Sequence, residues 1–311
     1  MRMAKVFRAG VFGTGALGRH HTRILTELPE AELVGIYEPR EEAARAMAEQ
    51  HGARIFPSAE ALAAEIEVAV VAVPTIHHAD LGTALLDQGI HVLVEKPIAA
   101  SLAEADALIA AAERAGRVLG VGHVEFYNPA VQALLASRPG ARFVEVQRLA
   151  QFTPRSLDVD VVLDLMIHDL QILHSLDPSP VAEVRATGIH VLSPKIDIAN
   201  ARVALESGCV ANLTASRISA ERVRKLRVFG ENRYASVDYQ AQEVKGYRLE
   251  AGDAGAPRIQ PADLPVVQGE PLKRELQAFL AACRGEEGLF VDGREGRRAL
   301  ATALAVVAAI G

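Results

Sequence analysis

The sequence predicts two domains. The first is an α/β domain built on a doubly wound parallel sheet, and the second is an α+β domain with a large, mostly antiparallel sheet. Three observations predict this. Up to Gly122, short apolar strands alternate with segments of helical spacing. A glycine cluster closes the first strand and opens the first helix. After Gly122-His123 the alternation stops and strand-like segments take over. A chain of 311 residues is long for one core, so 1–122 and 123–311 are the natural division, with the C-terminal helix free to pack back on the first domain.

The first strand is Val6–Phe12, and Gly13-Thr14-Gly15-Ala16-Leu17-Gly18 follows at once. Arg19–Leu28 then has helical spacing, with Leu17, Ile24, Leu25 and Leu28 on one stripe. The glycines have separate tasks in a dinucleotide site. Gly13 permits the tight turn, Gly15 lets backbone approach a pyrophosphate, and Gly18 lets helix and strand pack closely. The helix N-terminus presents free N–H groups and a favourable dipole to the pyrophosphate. Strand Glu32–Tyr37 ends at Glu38, 20 residues after Gly18, the spacing of the acid that binds an adenine ribose. A carboxylate there repels a 2′-phosphate, so NAD is expected over NADP. The plainer reading is that Glu38-Pro39-Arg40 only turns the chain into the next helix, and Arg40 would offset part of the repulsion.

The alternation continues with helix Glu41–His51, short strand Arg54–Phe56, strand Glu67–Val73, helix His78–Gln88 and strand His91–Val94. Ser101–Ala115 reads as a helix with Ser101 and Glu104 as a capping box, and Val118–Gly122 as the last strand. Val92, Leu93 and Val94 form a buried-type strand that runs into Glu95, Lys96 and Pro97. A core strand thus delivers an ammonium group to the carboxyl edge of the sheet, where ligands of open α/β sheets bind. The plainer reading is a solvated strand end.

In the second domain, helix Pro129–Ala136 precedes strand Phe143–Leu149 and a second helix. Val184–Val191, Ala199–Glu206, Val210–Ser216, Lys225–Phe229 and Ala235–Tyr239 alternate as strands with one wet face. Gly230-Glu231-Asn232 reads as a hairpin turn and Glu250–Pro265 as a surface loop. Helices Glu270–Ala282 and Gly293–Ile310 finish the chain. Within Asp158–Asp169, Asp164 and His168 stand four apart and share one helix face. A carboxylate one turn from an imidazole can orient it and raise its basicity, which suits a base that takes a hydroxyl proton. At this spacing a surface pair is the commoner outcome.

Composition narrows the classes. A net charge of −6 gives no reason to expect nucleic acid. Two separated cysteines, Cys209 and Cys283, without neighbouring ligands argue against a disulfide framework or a metal site and fit a reducing cytoplasm. Arg2, Lys5 and Arg8 are followed by no apolar signal-peptide core, and Ala299–Ile310 is too short to span a bilayer.

Taken in order, Gly13–Gly18, Glu95-Lys96-Pro97 and Asp164-x-x-x-His168 resemble the motifs of the Gfo/Idh/MocA oxidoreductases, over essentially the whole chain. The resemblance implies a nicotinamide-dependent dehydrogenase in which Lys96 binds the reacting hydroxyl and His168 is the acid/base. Asp164 binds substrate or tunes the site. It implies cofactor contacts from Gly13, Thr14, Gly15, Ala16, Leu17, Gly18, Glu38, Pro74, Thr75, His78, Glu95, Lys96 and Pro97. His78 falls on the family's usual histidine, and could equally cap or pack its own helix. Gly122–Pro129 and Arg155–Asp164 resemble the branch that oxidises the 3-hydroxyl of UDP-N-acetylglucosamine ahead of transamination in lipid A synthesis. That implies substrate contacts at His123, Tyr127, Arg155 and Arg217, with Arg148, Arg155 and Arg217 as candidate diphosphate ligands. The chain departs from the pattern at Phe126, at Asp158-Val159-Asp160 and at Met166, which bears on the substrate more than on the reaction. A free polyol such as myo-inositol is the alternative substrate, and a non-catalytic dinucleotide-binding regulator the alternative class. The family commonly forms homodimers or homotetramers.

Overall fold

The computed structural model describes residues 5–153, 159–251 and 257–311, so Arg155 and Asp158 lie outside the described residues. Two compact units emerge. Residues 1–124 and 270–297 form the first, and 125–269 with 298–311 form the second.

The first unit holds β1 (Phe7–Phe12), α1 (Gly18–Glu27), β2 (Ala31–Tyr37), α2 (Glu41–His51), α3 (Ala59–Ala63) and β3 (Val68–Val71). It continues with α4 (His78–Asp87), β4 (His91–Glu95), α5 (Leu102–Ala115) and β5 (Leu119–Gly122). The strands pair in parallel in the order β2-β1-β3-β4-β5. The order reverses beside β1, which is where a doubly wound sheet opens a ligand crevice. All the connections at the carboxyl edge leave from aligned positions, since Phe12 pairs Val71, Val71 pairs Val94 and Glu95 pairs Gly122. Ser101 caps α5 by accepting from the Glu104 N–H at 3.2 Å, while the Glu104 carboxylate reaches back to the Ala100 N–H at 2.9 Å. Arg54–Phe56 does not form a strand. In that segment Ile55 alone bridges, to Ile36, and a Cβ on Gly35 would lie 2.4 Å from the Arg54 carbonyl oxygen.

Residues 270–297, read from sequence as part of the second domain, return to the first unit. They form α8 (Pro271–Cys283) and the start of α9 (Gly293–Ile310). Leu272, Leu276, Phe279 and Leu280 of α8 complete the apolar core made by Val11, Ile24, Leu25, Ile36 and Val70. Such a stripe must find a buried partner, and the open side of α1 supplies it.

The second unit contains α6 (Pro129–Ala136), β6 (Ala141–Leu149), a π-helical turn Val162–Met166 and α7 (Ile167–Leu176). Strands β7 (Val181–Ile189), β8 (Ile198–Leu205), β9 (Val210–Ser216), β10 (Val223–Gly230) and β11 (Arg233–Asp238) follow. Then come β12 (Glu243–Ala251) and β13 (Pro257–Ala262), neither of which the sequence pattern predicts. Among the described residues the sheet order is β13-β12-β11-β10-β6-β9-β8-β7, antiparallel except for β6 with β9. One face packs Val144, Val146, Leu213 and Val228 on Leu170 and Leu173 of α7 and on Ala303 and Val306 of α9. The other face carries polar pairs such as Asn200–Thr214 at 2.8 Å and an aromatic row, Phe143, Phe229, Tyr234 and Tyr247. The Glu231-Asn232 turn joins β10 to β11, with Asn232 at φ 58°, a value Asn tolerates.

Cys209 and Cys283 are free, and burial pushes their thiols up to about 11 and about 12, so neither offers a thiolate near neutral pH. Among the described residues no helix is long and apolar enough to cross a membrane.

Candidate active site

The first unit gathers its predicted residues at the carboxyl edge of the parallel sheet. Two of the three glycines are required by the protein itself. A Cβ on Gly13, whose φ is 87°, would lie 2.6 Å from the Ala72 carbonyl oxygen, and one on Gly18 would lie 1.9 Å from that of Gly13. Gly15 differs, because a Cβ there would meet nothing within 4 Å. The space over Gly15 at the mouth of α1 is therefore open, as a backbone approach by a pyrophosphate demands. No acidic side chain occupies the first turn of α1, so its N–H dipole is not already compensated there. Ala16 and Leu17 complete the turn, with Leu17 at the N-cap position.

Glu38 stands at the end of β2, buried beside this loop. Its carboxylate accepts from the Thr14 N–H at 2.8 Å and the Thr14 hydroxyl at 3.1 Å. Arg40 donates to it from its backbone N–H at 3.0 Å and from Nε at 2.8 Å and Nη2 at 2.9 Å. Burial pushes the carboxyl up, but the Arg40 and Thr14 hydrogen bonds outweigh it and hold its pKa at about 2. The Arg40 side chain is two-thirds exposed, so its share of these bonds is open to exchange with a ligand.

Pro74 and Thr75 begin a short 3₁₀ turn after β3. His78 lies behind this turn, 1 % exposed, with Nδ1 2.9 Å from the Pro97 carbonyl and Nε2 2.9 Å from the Val73 carbonyl. Burial lowers its pKa, with the two carbonyls opposing. The ring therefore ties the Val73–Thr75 loop to the Lys96-Pro97 loop from the inside, and little of it is left for a direct cofactor contact. Glu95 likewise turns inward. Its Oε1 lies 2.7 Å from Nε2 of His21, and its Oε2 accepts from the Lys96 N–H at 3.2 Å. The half-exposed Lys96 is thus anchored through its own backbone. His123, fully buried after β5, has its pKa lowered to about 3 by burial and, next, by the nearby Lys96 charge.

The second unit carries the Asp/His pair, not on a plain α-helix as the spacing suggests but across a π turn and its α-helical continuation. Asp164 lies in the π-helical segment and His168 in the first turn of α7. The wider i→i+5 turn still leaves residues four apart on one side of the helix. His168 is 8 % exposed and Asp164 half-buried. The next residue, Asp169, faces the interior and is the centre of a buried ionic network. Arg148 on β6 donates to it from Nε at 2.6 Å and Nη2 at 2.7 Å, and to Glu125 from Nη1 at 2.7 Å. The Tyr239 hydroxyl donates to Asp169 at 3.2 Å, and Arg224 reaches Glu125 at 3.2 Å. Burial opposes the Arg148 charge, but Asp169 and Glu125 outweigh it and hold its pKa well above the ordinary value. Arg148 is therefore spent on fixing α7 from behind and is not a diphosphate ligand. Tyr239→Phe, which removes a hydrogen bond to a charged group, is expected to cost about 1.5–3 kcal/mol in urea unfolding.

Arg217 is also buried. Its Nη2 donates to the Val159 carbonyl and, at 3.3 Å, to that of Ile196. Its Nε lies 3.7 Å from Asp197, which accepts from the N–H groups of Val191, Leu192 and Ser193. These bonds brace the chain that enters the π turn, so Arg217 supports that turn rather than presenting its guanidinium to a ligand. Tyr127 is buried with its ring edge-on to Phe126 at 5.1 Å.

A dinucleotide crevice with an adjoining lysine, and a buried Asp/His helix on a second unit, define the class of nicotinamide-dependent oxidoreductases. Residues 7–123 match the oxidoreductase family with the NAD-binding Rossmann fold, and 110–236 match the GFO/IDH/MocA C-terminal domain. The chain is 39% identical over 305 residues to the UDP-N-acetylglucosamine 3-dehydrogenase of Acidithiobacillus ferrooxidans, covering 97% of each protein. The crystallised GnnA dehydrogenase of that organism superposes with a TM-score of 0.90 over 98% of both chains at 38% identity. An inositol 2-dehydrogenase of Rhizobium meliloti is 25% identical over 97% of this chain and 96% of its own. The chain belongs to the Gfo/Idh/MocA family of oxidoreductases.

Proposed function

We propose that this protein oxidises the 3-hydroxyl of UDP-N-acetylglucosamine to the 3-keto sugar, with NAD as the acceptor. The reading is carried by the likeness to a dehydrogenase of that name along the full length of both chains. Lys96 holds the reacting hydroxyl oxygen and stabilises the negative charge that develops on it. His168 accepts the hydroxyl proton, and Asp164 orients substrate or the His168 ring. NAD supplies the hydride acceptor, so the secondary alcohol loses two electrons and two hydrogens in all. His123 and Tyr127 are assigned to the sugar, and Gly13–Gly18, Pro74, Thr75 and Pro97 to the cofactor. The protein is read as a cytoplasmic homodimer or homotetramer whose keto product is ready for transamination, as lipid A precursors require.

The test is NADH formation with purified protein on a panel of UDP-N-acetylglucosamine, free N-acetylglucosamine and myo-inositol. Turnover of the nucleotide sugar supports the reading. Turnover of myo-inositol alone would assign the protein to the polyol branch, to which the inositol 2-dehydrogenase relative belongs.

Cofactor choice rests on Glu38 and Arg40. Glu38→Ala is expected to weaken NAD about tenfold or more, since hydrogen bonds to a carboxylate are worth about 1.5–3 kcal/mol. The same change relaxes discrimination against NADP. Arg40→Ala is expected to sharpen the NAD preference, because it leaves the Glu38 charge unopposed toward a 2′-phosphate. Dissociation constants of both dinucleotides, measured by fluorescence titration, check the pair. A wild type that prefers NADP would overturn the assignment.

A further inference from the structure

Strand β6 alternates inward and outward residues, and its inward phase carries Val144, Val146 and then Arg148. An arginine thus stands where the pattern calls for an aliphatic side chain, and it is as buried as its neighbours. Its guanidinium forms a fork on Asp169, with Nε meeting Oδ2 at 2.6 Å and Nη2 meeting Oδ1 at 2.7 Å. Its third nitrogen donates to Glu125. The Tyr239 ring lies against the same guanidinium, 4.9 Å from Cζ, while its hydroxyl donates to Asp169. Tyr239 is itself tied down, since its backbone carbonyl accepts from the Asn128 side chain at 2.9 Å. Arg224, which pairs with Arg148 across β10 and β6, gives Glu125 a second cation. Two arginines and two carboxylates therefore share one fixed arrangement, and all of these residues belong to the second unit.

Stability alone does not account for this cluster. Well-packed apolar residues of similar volume often serve a core as well as a buried ion pair does, or better. What the fork adds is direction. Leu170 and Leu173 hold α7 on the sheet by apolar contacts, which are non-directional. Two parallel N–H···O bonds from a planar group fix distance and angle together. Asp169 is the third residue of α7 and directly follows His168. Successive helical residues stand about 100° apart around the axis, so a fixed direction for Asp169 fixes the direction of His168. The segment ahead of them is the π turn, so regular α-helical winding does not hold this turn from that side. Burial pushes the Asp169 carboxyl up and the Arg148 charge opposes it, so losing Arg148 alone would leave a buried acid without its main counter-charge.

We propose that Arg148 and Asp169 are positioning residues for His168: their fork sets the rotation of the first turn of α7, and with it the place of the imidazole. The proposal rests on the reading of His168 as the group that accepts the hydroxyl proton. Arg148 and Asp169 are both 2 % exposed, so they act on the reaction through the helix and not on the sugar itself. Glu125 and Tyr239 hold the fork in turn, one by its charge on Nη1 and the other by its hydroxyl on Oδ1.

The test measures kcat on the sugar that the protein turns over, for Arg148→Lys and for the double variant Arg148→Met with Asp169→Leu. Each is made alone and together with His168→Ala. The double variant removes both charges of the fork and leaves Glu125 its Arg224 partner, so it is expected to melt close to the wild type. Misplacing a reacting group by about 1 Å can cost about 10²-fold, so the double variant is expected to lower kcat about 10–100-fold. Arg148→Lys keeps the charge but loses the planar fork, and is expected to lower kcat about tenfold. The combination with His168→Ala is decisive. A device that acts through His168 has nothing left to position once the imidazole is gone, so the same substitutions should lower the remaining turnover less than about twofold. An equal loss with and without His168 would overturn the proposal and assign the fork to the fold alone. A kcat within threefold of the wild type in the folded double variant would overturn it as well. Should the double variant not fold, Arg148→Lys carries both comparisons. Normal turnover in His168→Ala would instead overturn the reading of His168, which separates the two failures.

Discussion

Lys96→Ala is expected to lower kcat by about 10²–10³-fold or more on the authentic sugar. Removing one donor aimed at a developing oxyanion costs about that much, and in the proposed reaction the same side chain also positions the substrate oxygen. Lys96 stands at the carboxyl edge immediately after the buried strand β4, and its N–H is held by Glu95. A side chain so placed cannot be replaced by a neighbour, because Glu95 and Pro97 are both buried. Lys96→Arg is expected to recover little, since a planar fork does not reproduce a compact ammonium. Steady-state NADH formation measures the loss. Turnover within threefold of the wild type would remove Lys96 from the chemistry.

His168→Ala is expected to lower kcat by about 10²–10⁴-fold, the usual contribution of a general base. The NAD dissociation constant should stay within about threefold, because the residues assigned to the dinucleotide all belong to the first unit and His168 to the second. Asp164→Asn should have a smaller effect, since it keeps shape and hydrogen bonding while losing charge. Single-turnover kinetics on saturating NAD separate binding from chemistry. If His168→Ala turns over normally, the base is another group. His123 and Asp164 would then be the next groups to test.

The parts of this fold legible in the sequence are those with local causes. Gly13 is dictated by its positive φ and Gly18 by the approach of the Gly13 carbonyl, and Ser101 with Glu104 by the orphan N–H groups of a helix start. The last two strands, β12 and β13, were not legible, and Glu250–Pro265 reads as loop, because most of their residues are exposed and alternate no apolar face. The five-residue α3 is too short to show a period. In the site, Glu38 announces itself by its distance from the glycines. The inward turns of Glu95 and His78 do not, for their partners lie 74 and 19 residues away in the chain. Arg148 was open to reading as a diphosphate ligand because nothing local marks Asp169 and Glu125, 21 and 23 residues distant, as its counter-ions.

The π turn at Val162–Met166 makes the length of this segment count for more than its letters. A π turn takes up one residue beyond what the α-helix needs for the same closure. Removing one residue there would let the helix relax to regular winding and rotate everything before the cut by about 100° about the axis, the step of a 3.6-residue turn. A cut between Asp164 and His168 would leave them three apart, with their relative direction turned, while every side chain named in the motif remained in the sequence. Val162, Leu163 and Leu165 are thus interchangeable with other apolar residues so long as their number is kept, and chimaeras that splice relatives through this segment must conserve its count before its composition.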